Sequence, residues 1–199
     1  MRCLICFREM GDYPTIKTYF FNKDIICRDC REKLGYAPAR LTIEGVRVYS
    51  LYPYKDFFTS MLLQYKEAYD EALSDIFLKP YISSLYRRYI RYTLIPLPSG
   101  KSDLERRGFN HNILTFKSLG LPILDCLYKK NDYNQSGLNN RQRQLMINNI
   151  GLKENTVLPK RILLVDDVLT SGATLTGAIR LLKTENVLLE CLTLAYVNR

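Results

Sequence analysis

Nowhere in the 199 residues do apolar side chains run to the roughly 18 needed to cross a bilayer. The opening residues, Met1-Arg2-Cys3, carry no basic region followed by an apolar run and a small-residue cleavage site. A soluble cytoplasmic protein is therefore expected, in which thiols stay reduced and paired cysteines point to metal before disulfide. Low-complexity tracts and internal repeats are also missing, which argues against a chain dominated by disorder. Histidine occurs once, at His111. What remains has ordinary globular composition, 47% hydrophobic and 25% charged. The length suits one α/β domain with a small accessory module, and hardly two full cores.

The net charge of +9 is unevenly spread. Residues 1–78 are neutral, with eleven basic and eleven acidic side chains. Residues 79–117 hold eight basic against two acidic, and 129–161 seven against two. This segregation suits an anionic partner, a polyphosphate ligand or nucleic acid, or else a solvated basic face.

Cys3, Cys6, Cys27 and Cys30 form two CxxC pairs separated by twenty residues. Each short turn brings two sulfurs to one side, and the doubled motif is the spacing by which two knuckles offer four thiolates to one tetrahedral Zn²⁺. The intervening chain, with Tyr19-Phe20-Phe21, is expected to form a hairpin that returns the second pair. Too little chain is present for a large local core, so ligation would supply much of the folding free energy. Four ligands close the shell, and the zinc is expected to be structural. A disulfide pair or a redox CxxC is the alternative. His111 is remote and not needed, while Cys126 and Cys191 sit in apolar contexts and read as buried thiols.

Beyond Gly35 and Pro38 the pattern becomes that of a larger unit, giving expected divisions at 1–38 and 39–199. Val46–Tyr54 reads as β-rich. Phe58, Met61, Leu62, Tyr65, Ala68, Tyr69, Ala72, Leu73 and Ile76 recur at spacings of three and four, predicting a helix from about Asp56 to Phe77. A second helix is expected over Tyr81–Tyr92, opened by Pro80. Strands follow at Tyr92–Ile95, Leu121–Tyr128, Ile162–Val165 and Val187–Val197, with helices near His111–Leu119, Asn140–Ile147 and Gly172–Lys183. Alternating strands and helices imply a mainly parallel sheet covered on both faces.

The segment Ile162-Leu163-Leu164-Val165-Asp166-Asp167-Val168-Leu169-Thr170-Ser171-Gly172-Ala173-Thr174 carries the most chemistry. Four apolar residues make a strand, two carboxylates stand at its carboxyl end, and a hydroxyl- and Gly-containing turn opens the next helix. That edge is where open α/β sheets bind ligands. Backbone N–H groups, the helix dipole and the hydroxyls of Thr170, Ser171 and Thr174, beside the small Gly172 and Ala173, make a phosphate-sized cradle.

These thirteen residues resemble the signature of type I phosphoribosyltransferases. The resemblance implies that Thr170–Thr174 hold the 5′-phosphate of phosphoribosyl pyrophosphate (PRPP), and that Asp166 and Asp167, the candidate catalytic pair, hold the ribose hydroxyls near a pyrophosphate-bound Mg²⁺. A narrower resemblance spans nearly the whole chain. The CxxC pairs, Gln64-Tyr65-Lys66, Leu94-Ile95-Pro96-Leu97-Pro98, Arg106-Arg107-Gly108-Phe109-Asn110 and Gln135 with Leu138 are similar to the ComF family of competence-associated proteins, linked to uptake of single-stranded DNA. It implies a pyrophosphate loop at Pro96–Gly100 (Leu97, Pro98, Ser99), with Arg106 and Arg107 beyond it. Two positions depart: His111, where Gln commonly follows Phe-Asn, and Met146, where an Asn usually stands.

Purine-salvage relatives carry an Asp three residues after the second acidic residue, where this chain has Thr170, which disfavours a purine acceptor. Two functions of different class therefore stand side by side: a PRPP-binding domain, catalytic or not, and a single-stranded-DNA-binding or adaptor module docking other competence proteins. For the second, Tyr86, Tyr89 and Tyr92 interleave with Arg87, Arg88 and Arg91, a pattern that suits base stacking or simply a helix with one buried face.

Overall fold

A computed structural model describes residues 1–10, 25–67, 71–100, 104–105, 108, 110–131 and 147–197. After the first cysteine pair comes α1 (Arg28–Leu34), closed by Gly35 in the left-handed conformation at φ 69°. Strands β1 (Ala39–Ile43) and β2 (Val46–Pro53) form an antiparallel hairpin. Its two-residue turn, Glu44-Gly45, has φ of 51° and 74°, the positive values that match the twist of the flanking strands. Then follow α2 (Asp56–Glu67), 3₁₀ turns at Glu71–Ile76 and Lys79–Tyr81, α3 (Ile82–Tyr89) and β3 (Thr93–Pro96). Helix α4 (His111–Phe116) precedes β4 (Leu127–Lys129) and β5 (Ile150–Leu152). The chain ends with β6 (Arg161–Leu169), α5 (Ala173–Leu182) and β7 (Leu188–Tyr196).

Five strands form one sheet in the order β1-β2-β7-β6-β3. All neighbours in it are parallel except the β1–β2 edge pair. Side chains alternate across the sheet, so β6 feeds two cores. Leu163 and Val165 join one with Phe58, Leu62, Tyr65 and Phe116; Ile162 and Leu164 join the other with Ala178, Ile179 and Leu182 of α5. Helices thus cover both faces, as alternating strands and helices predict. The first core also takes in Cys3, Ile26, Cys30 and Leu34, so the cysteine-bearing segment packs directly against it.

Several expectations are redrawn. The expected helix over Asp56–Phe77 is helical only to Glu67 and then 3₁₀ from Glu71. The expected strand Leu121–Tyr128 is reduced to one bridge, Ile123 with Leu94, while β4 pairs with β5 in a separate two-stranded sheet. Pro122 explains the break: its carbonyl accepts from Leu94 N–H, but it has no N–H of its own with which to continue a ladder. Strand β6 runs four residues past Val165, so both carboxylates lie inside it. The hairpin expected around Tyr19–Phe21, Arg106 and Arg107, Gln135 with Leu138, and all but Ile147 of the helix expected at Asn140–Ile147 fall outside the described residues. Among those residues no helix is long and apolar enough to cross a membrane.

Candidate functional site

Consecutive strand residues point to opposite faces, and Asp166 and Asp167 accordingly meet different neighbours. Asp166 Oδ1 accepts from the side-chain amide of Asn112 at 3.1 Å, and the same amide donates to the Leu97 carbonyl at 3.2 Å. Asp167 Oδ2 lies 2.7 Å from His111 Nε2 and pairs with the ammonium of Lys66. Its other oxygen accepts the Val168 N–H at 2.5 Å. His111 Nδ1 in turn stands 3.3 Å from the Ser99 hydroxyl.

Local sequence explains why these groups converge. Asn110 caps α4, its side chain accepting from the N–H of Asn112 at 3.0 Å and of Ile113 at 3.4 Å, which fixes the first helical turn. The Tyr65 hydroxyl donates to the His111 carbonyl at 3.0 Å and accepts from Thr115 at 3.1 Å, binding α2 to α4. Leu97 N–H donates to the Val165 carbonyl at 2.9 Å, so the β3 loop leaves the sheet beside the carboxylates. Burial pushes the Asp166 carboxyl up to about 6, with the Lys66 charge, the Asn112 bond and Lys129 pulling the other way. Asn112 Oδ1 is buried without a hydrogen-bond partner among the described residues.

The turn after β6 has the shape its composition implies. Thr170 and Ser171 are exposed, and Gly172 takes φ 74° directly before α5. The Ser171 hydroxyl accepts from Ala173 N–H at 3.3 Å, and Thr174 is half-buried on the first helical turn. The positive φ makes any side chain at Gly172 strained, and a Cβ there would stand 3.2 Å from Ile43 Cδ1, a contact that Ile43 must yield to by a few tenths of an ångström. In the β3 loop, the Leu97 side chain belongs to the core and only its carbonyl reaches this network, while Pro98 and Ser99 are half-buried.

The four N-terminal cysteine sulfurs form a second cluster, all within 4.8 Å of one another. Cys6 and Cys27 sulfurs are 3.7 Å apart, and Cys27 N–H points at Cys3 Sγ at 3.3 Å. Burial pushes the Cys3 thiol up, but backbone N–H groups of Cys6, Cys27 and Ile5 outweigh it and bring it down to about 6. Burial, with the neighbouring thiols, drives Cys30 the other way. Such a cluster can hold one metal ion. Cys126 and Cys191 are buried as expected.

Residues 105–199 match the phosphoribosyl transferase domain. The chain is 26% identical to competence protein ComFC of Streptococcus pneumoniae, over 92% of this chain and 94% of that protein. It is 30% identical to competence protein ComFC of Bacillus subtilis, over 79% of this chain and 65% of that one. The chain is thus similar, over most of its length, to ComFC competence proteins, and its second half matches a phosphoribosyl transferase domain. A solved hypoxanthine phosphoribosyltransferase from Staphylococcus aureus shares 14% identity and a TM-score of 0.39, over 62% of each chain.

Three residues of this site have no role in the sequence reading: Lys66, His111 and Asn112. A signal for Lys66 lies in its spacing, since Phe58, Leu62 and Lys66 fall at steps of four, and the first two are buried. The polar run Asn110-His111-Asn112, opening a short helix whose next residues are apolar, signals the other two.

The basic segment resolves differently. Tyr89 and Tyr92 are buried and Tyr86 is 39% exposed, so the tyrosines split between core and surface. Arg88 sits over the Tyr49 ring at 4.9 Å and approaches buried Glu190 at 3.6 Å. Glu190 also takes Arg47 at 2.7 Å and the Tyr92 hydroxyl at 2.9 Å. This cluster gathers at the amino ends of β2, β3 and β7, the sheet edge opposite the Thr170–Thr174 turn.

Proposed function

We propose that the chain binds PRPP with Mg²⁺ at the carboxyl edge of β6 and serves DNA uptake in competence, the process for which its relatives are named. The observation that carries this reading is the unit Asp166-Asp167 on a central parallel strand, followed by a turn with Gly172 at φ 74° and then α5. Free N–H groups at such a turn and the positive end of the helix dipole suit the 5′-phosphate. Asp166 supplies a carboxylate for a ribose hydroxyl, and the loop Leu97-Pro98-Ser99, with Arg106 and Arg107 beyond it, is assigned to the pyrophosphate. Bound Mg²⁺ would neutralise that pyrophosphate, and of the two motif carboxylates Asp166 is the less buried.

Residues 1–38 are read as a structural zinc module on a 39–199 phosphoribosyltransferase-like domain, working in the cytoplasm. Four sulfurs about 2.3 Å from one zinc stand about 3.8 Å apart, and the Cys6–Cys27 separation of 3.7 Å fits. Thr170 in place of an acidic residue leaves a purine acceptor disfavoured. A second reading, a surface for single-stranded DNA, is favoured by the exposure of Arg87, Arg91 and Tyr86 at the opposite sheet edge.

The central test is thermal. PRPP with Mg²⁺ raises the melting temperature, since a ligand held only by the folded state stabilises it by about 2.7 kcal/mol at a hundredfold excess over Kd. Asp166→Ala with Asp167→Ala removes the shift. No shift at millimolar PRPP overturns the assignment, and released pyrophosphate tells turnover from binding.

A further inference from the structure

Two adjacent residues at the start of α4 each bridge the loop after β3 and one carboxylate of β6. Asn112 joins the Leu97 carbonyl to Asp166, and His111 joins the Ser99 hydroxyl to Asp167. Asn112 makes its bridge to a main-chain atom buried at the end of β3. His111 makes its bridge to a half-exposed side chain in the loop itself.

We propose that His111 is a positioning residue that sets the loop after β3 against Asp167, so that the pyrophosphate end of PRPP is gripped only while the two are joined. The proposal rests on the PRPP reading of this site.

Its physical basis is the fixed geometry of the ring. With its proton on Nε2, imidazole donates to Asp167 and accepts from Ser99 at Nδ1, so one side chain satisfies both neighbours with a single proton. The ring is 7% exposed and its own carbonyl is held by Tyr65, which leaves the histidine little freedom to reorient. Asp167 is 8% exposed, with Val168 N–H on one oxygen and His111 and Lys66 on the other. Its carboxylate is therefore committed to the protein, and Asp166 is the one left to meet the sugar. The two acidic residues of the motif thus divide into a ligand-facing member and an anchor for the pyrophosphate loop.

Half-replacements of the ring separate the two bonds. Gln places an amide near the Nε2 position and loses the partner for Ser99; Asn places one near Nδ1 and falls short of Asp167. Calorimetric titration of the full chain with PRPP and Mg²⁺, and separately with ribose 5-phosphate, reads the effect on ligands with and without pyrophosphate. His111→Gln, His111→Asn and Ser99→Ala are each expected to weaken PRPP about 3- to 10-fold while changing ribose 5-phosphate less than about 2-fold. Adding Ser99→Ala to His111→Gln should cost nothing further, because the bond it removes is already gone.

Ser99→Ala costing as much in the His111→Gln background as in the wild type overturns the coupling, as does equal weakening of both ligands by all three variants. Wild-type protein that binds neither ligand overturns the PRPP reading and this inference together; binding with additive losses overturns this inference alone. Ser99→Ala touches a half-exposed hydroxyl, so it remains informative if a His111 variant fails to fold.

Discussion

Lys66 on α2 and Asp167 on β6 form a largely buried ion pair, with side chains 18% and 12% exposed. It ties the first long helix on one face of the sheet to an interior strand. Removing one member of a buried pair leaves the other charge uncompensated.

Lys66→Met is accordingly expected to cost about 2–4 kcal/mol of unfolding free energy at neutral pH, with Lys66→Arg costing less. Urea denaturation measures both. A Met variant within about 0.5 kcal/mol of wild type, the range of ordinary surface changes, would show that His111 and the Val168 N–H satisfy Asp167 without Lys66.

Asp166 gives a pH dependence. Its folded pKa, about 6, is raised above the ordinary value of 3.8, so the folded chain binds the proton more tightly than the unfolded chain. Stability from this group is full below about 4 and is lost as pH rises through about 6. Asp166→Asn keeps an oxygen to accept from Asn112 and removes the ionisation. It should raise the melting temperature of ligand-free protein at pH 7.5, by about 1–3 kcal/mol in free energy, with the gain fading below pH 5. The same variant should lose PRPP binding. A gain of equal size at pH 4 and pH 7.5 would show that ionisation is not its source.

Metal content tests the cysteine cluster. Freshly purified protein should carry about one zinc per chain by elemental analysis, and Cys27→Ser should carry little. Because Cys3, Ile26, Cys30 and Leu34 belong to the same core as Phe58 and Tyr65, chelation should lower the melting temperature of the whole chain. Zinc-free protein with an unchanged melting temperature after chelation would sink the claim.

The arginines of α3 separate DNA contact from packing. Arg88 pairs with buried Glu190 and covers Tyr49 and Tyr89, whereas among the described residues Arg87 donates to the Ser83 carbonyl of its own helix. Arg87→Ala with Arg91→Ala should weaken single-stranded DNA binding and flatten its salt dependence, leaving stability and PRPP binding unchanged. Arg88→Ala should lower stability by about 1 kcal/mol. DNA affinity indifferent to Arg87 and Arg91, in a protein that does bind DNA, removes this face as the contact surface.

The amino-acid order by itself determined what is local in this protein. Cysteine spacing brings four sulfurs together because each CxxC is a single turn. The run from Ile162 to Thr174 dictates strand, carboxylates, turn and helix, because apolar β-branched and leucine residues, then Gly172 at a position only glycine adopts freely, leave few alternatives. Strand β2 is legible as the β-rich Val46–Tyr54, but its partner β1 is not, because Arg40, Leu41 and Thr42 are all exposed on an edge strand and no alternation marks it. The break at Pro122 was legible in principle, since proline lacks the donor a ladder needs.

Only the tertiary structure decided which partner each carboxylate takes. Asp166 and Asp167 are adjacent in sequence and equivalent in every local measure, yet strand pleating turns them to opposite faces. One meets Asn112 and the other meets His111 and Lys66, groups delivered by α4 and α2 from distant parts of the chain. Likewise Arg87 and Arg88 are indistinguishable as neighbours in a basic run. Packing of α3 against the sheet sends one toward Glu190 and leaves the other in solvent, because helical neighbours lie about 100° apart around the axis and only one can face the core.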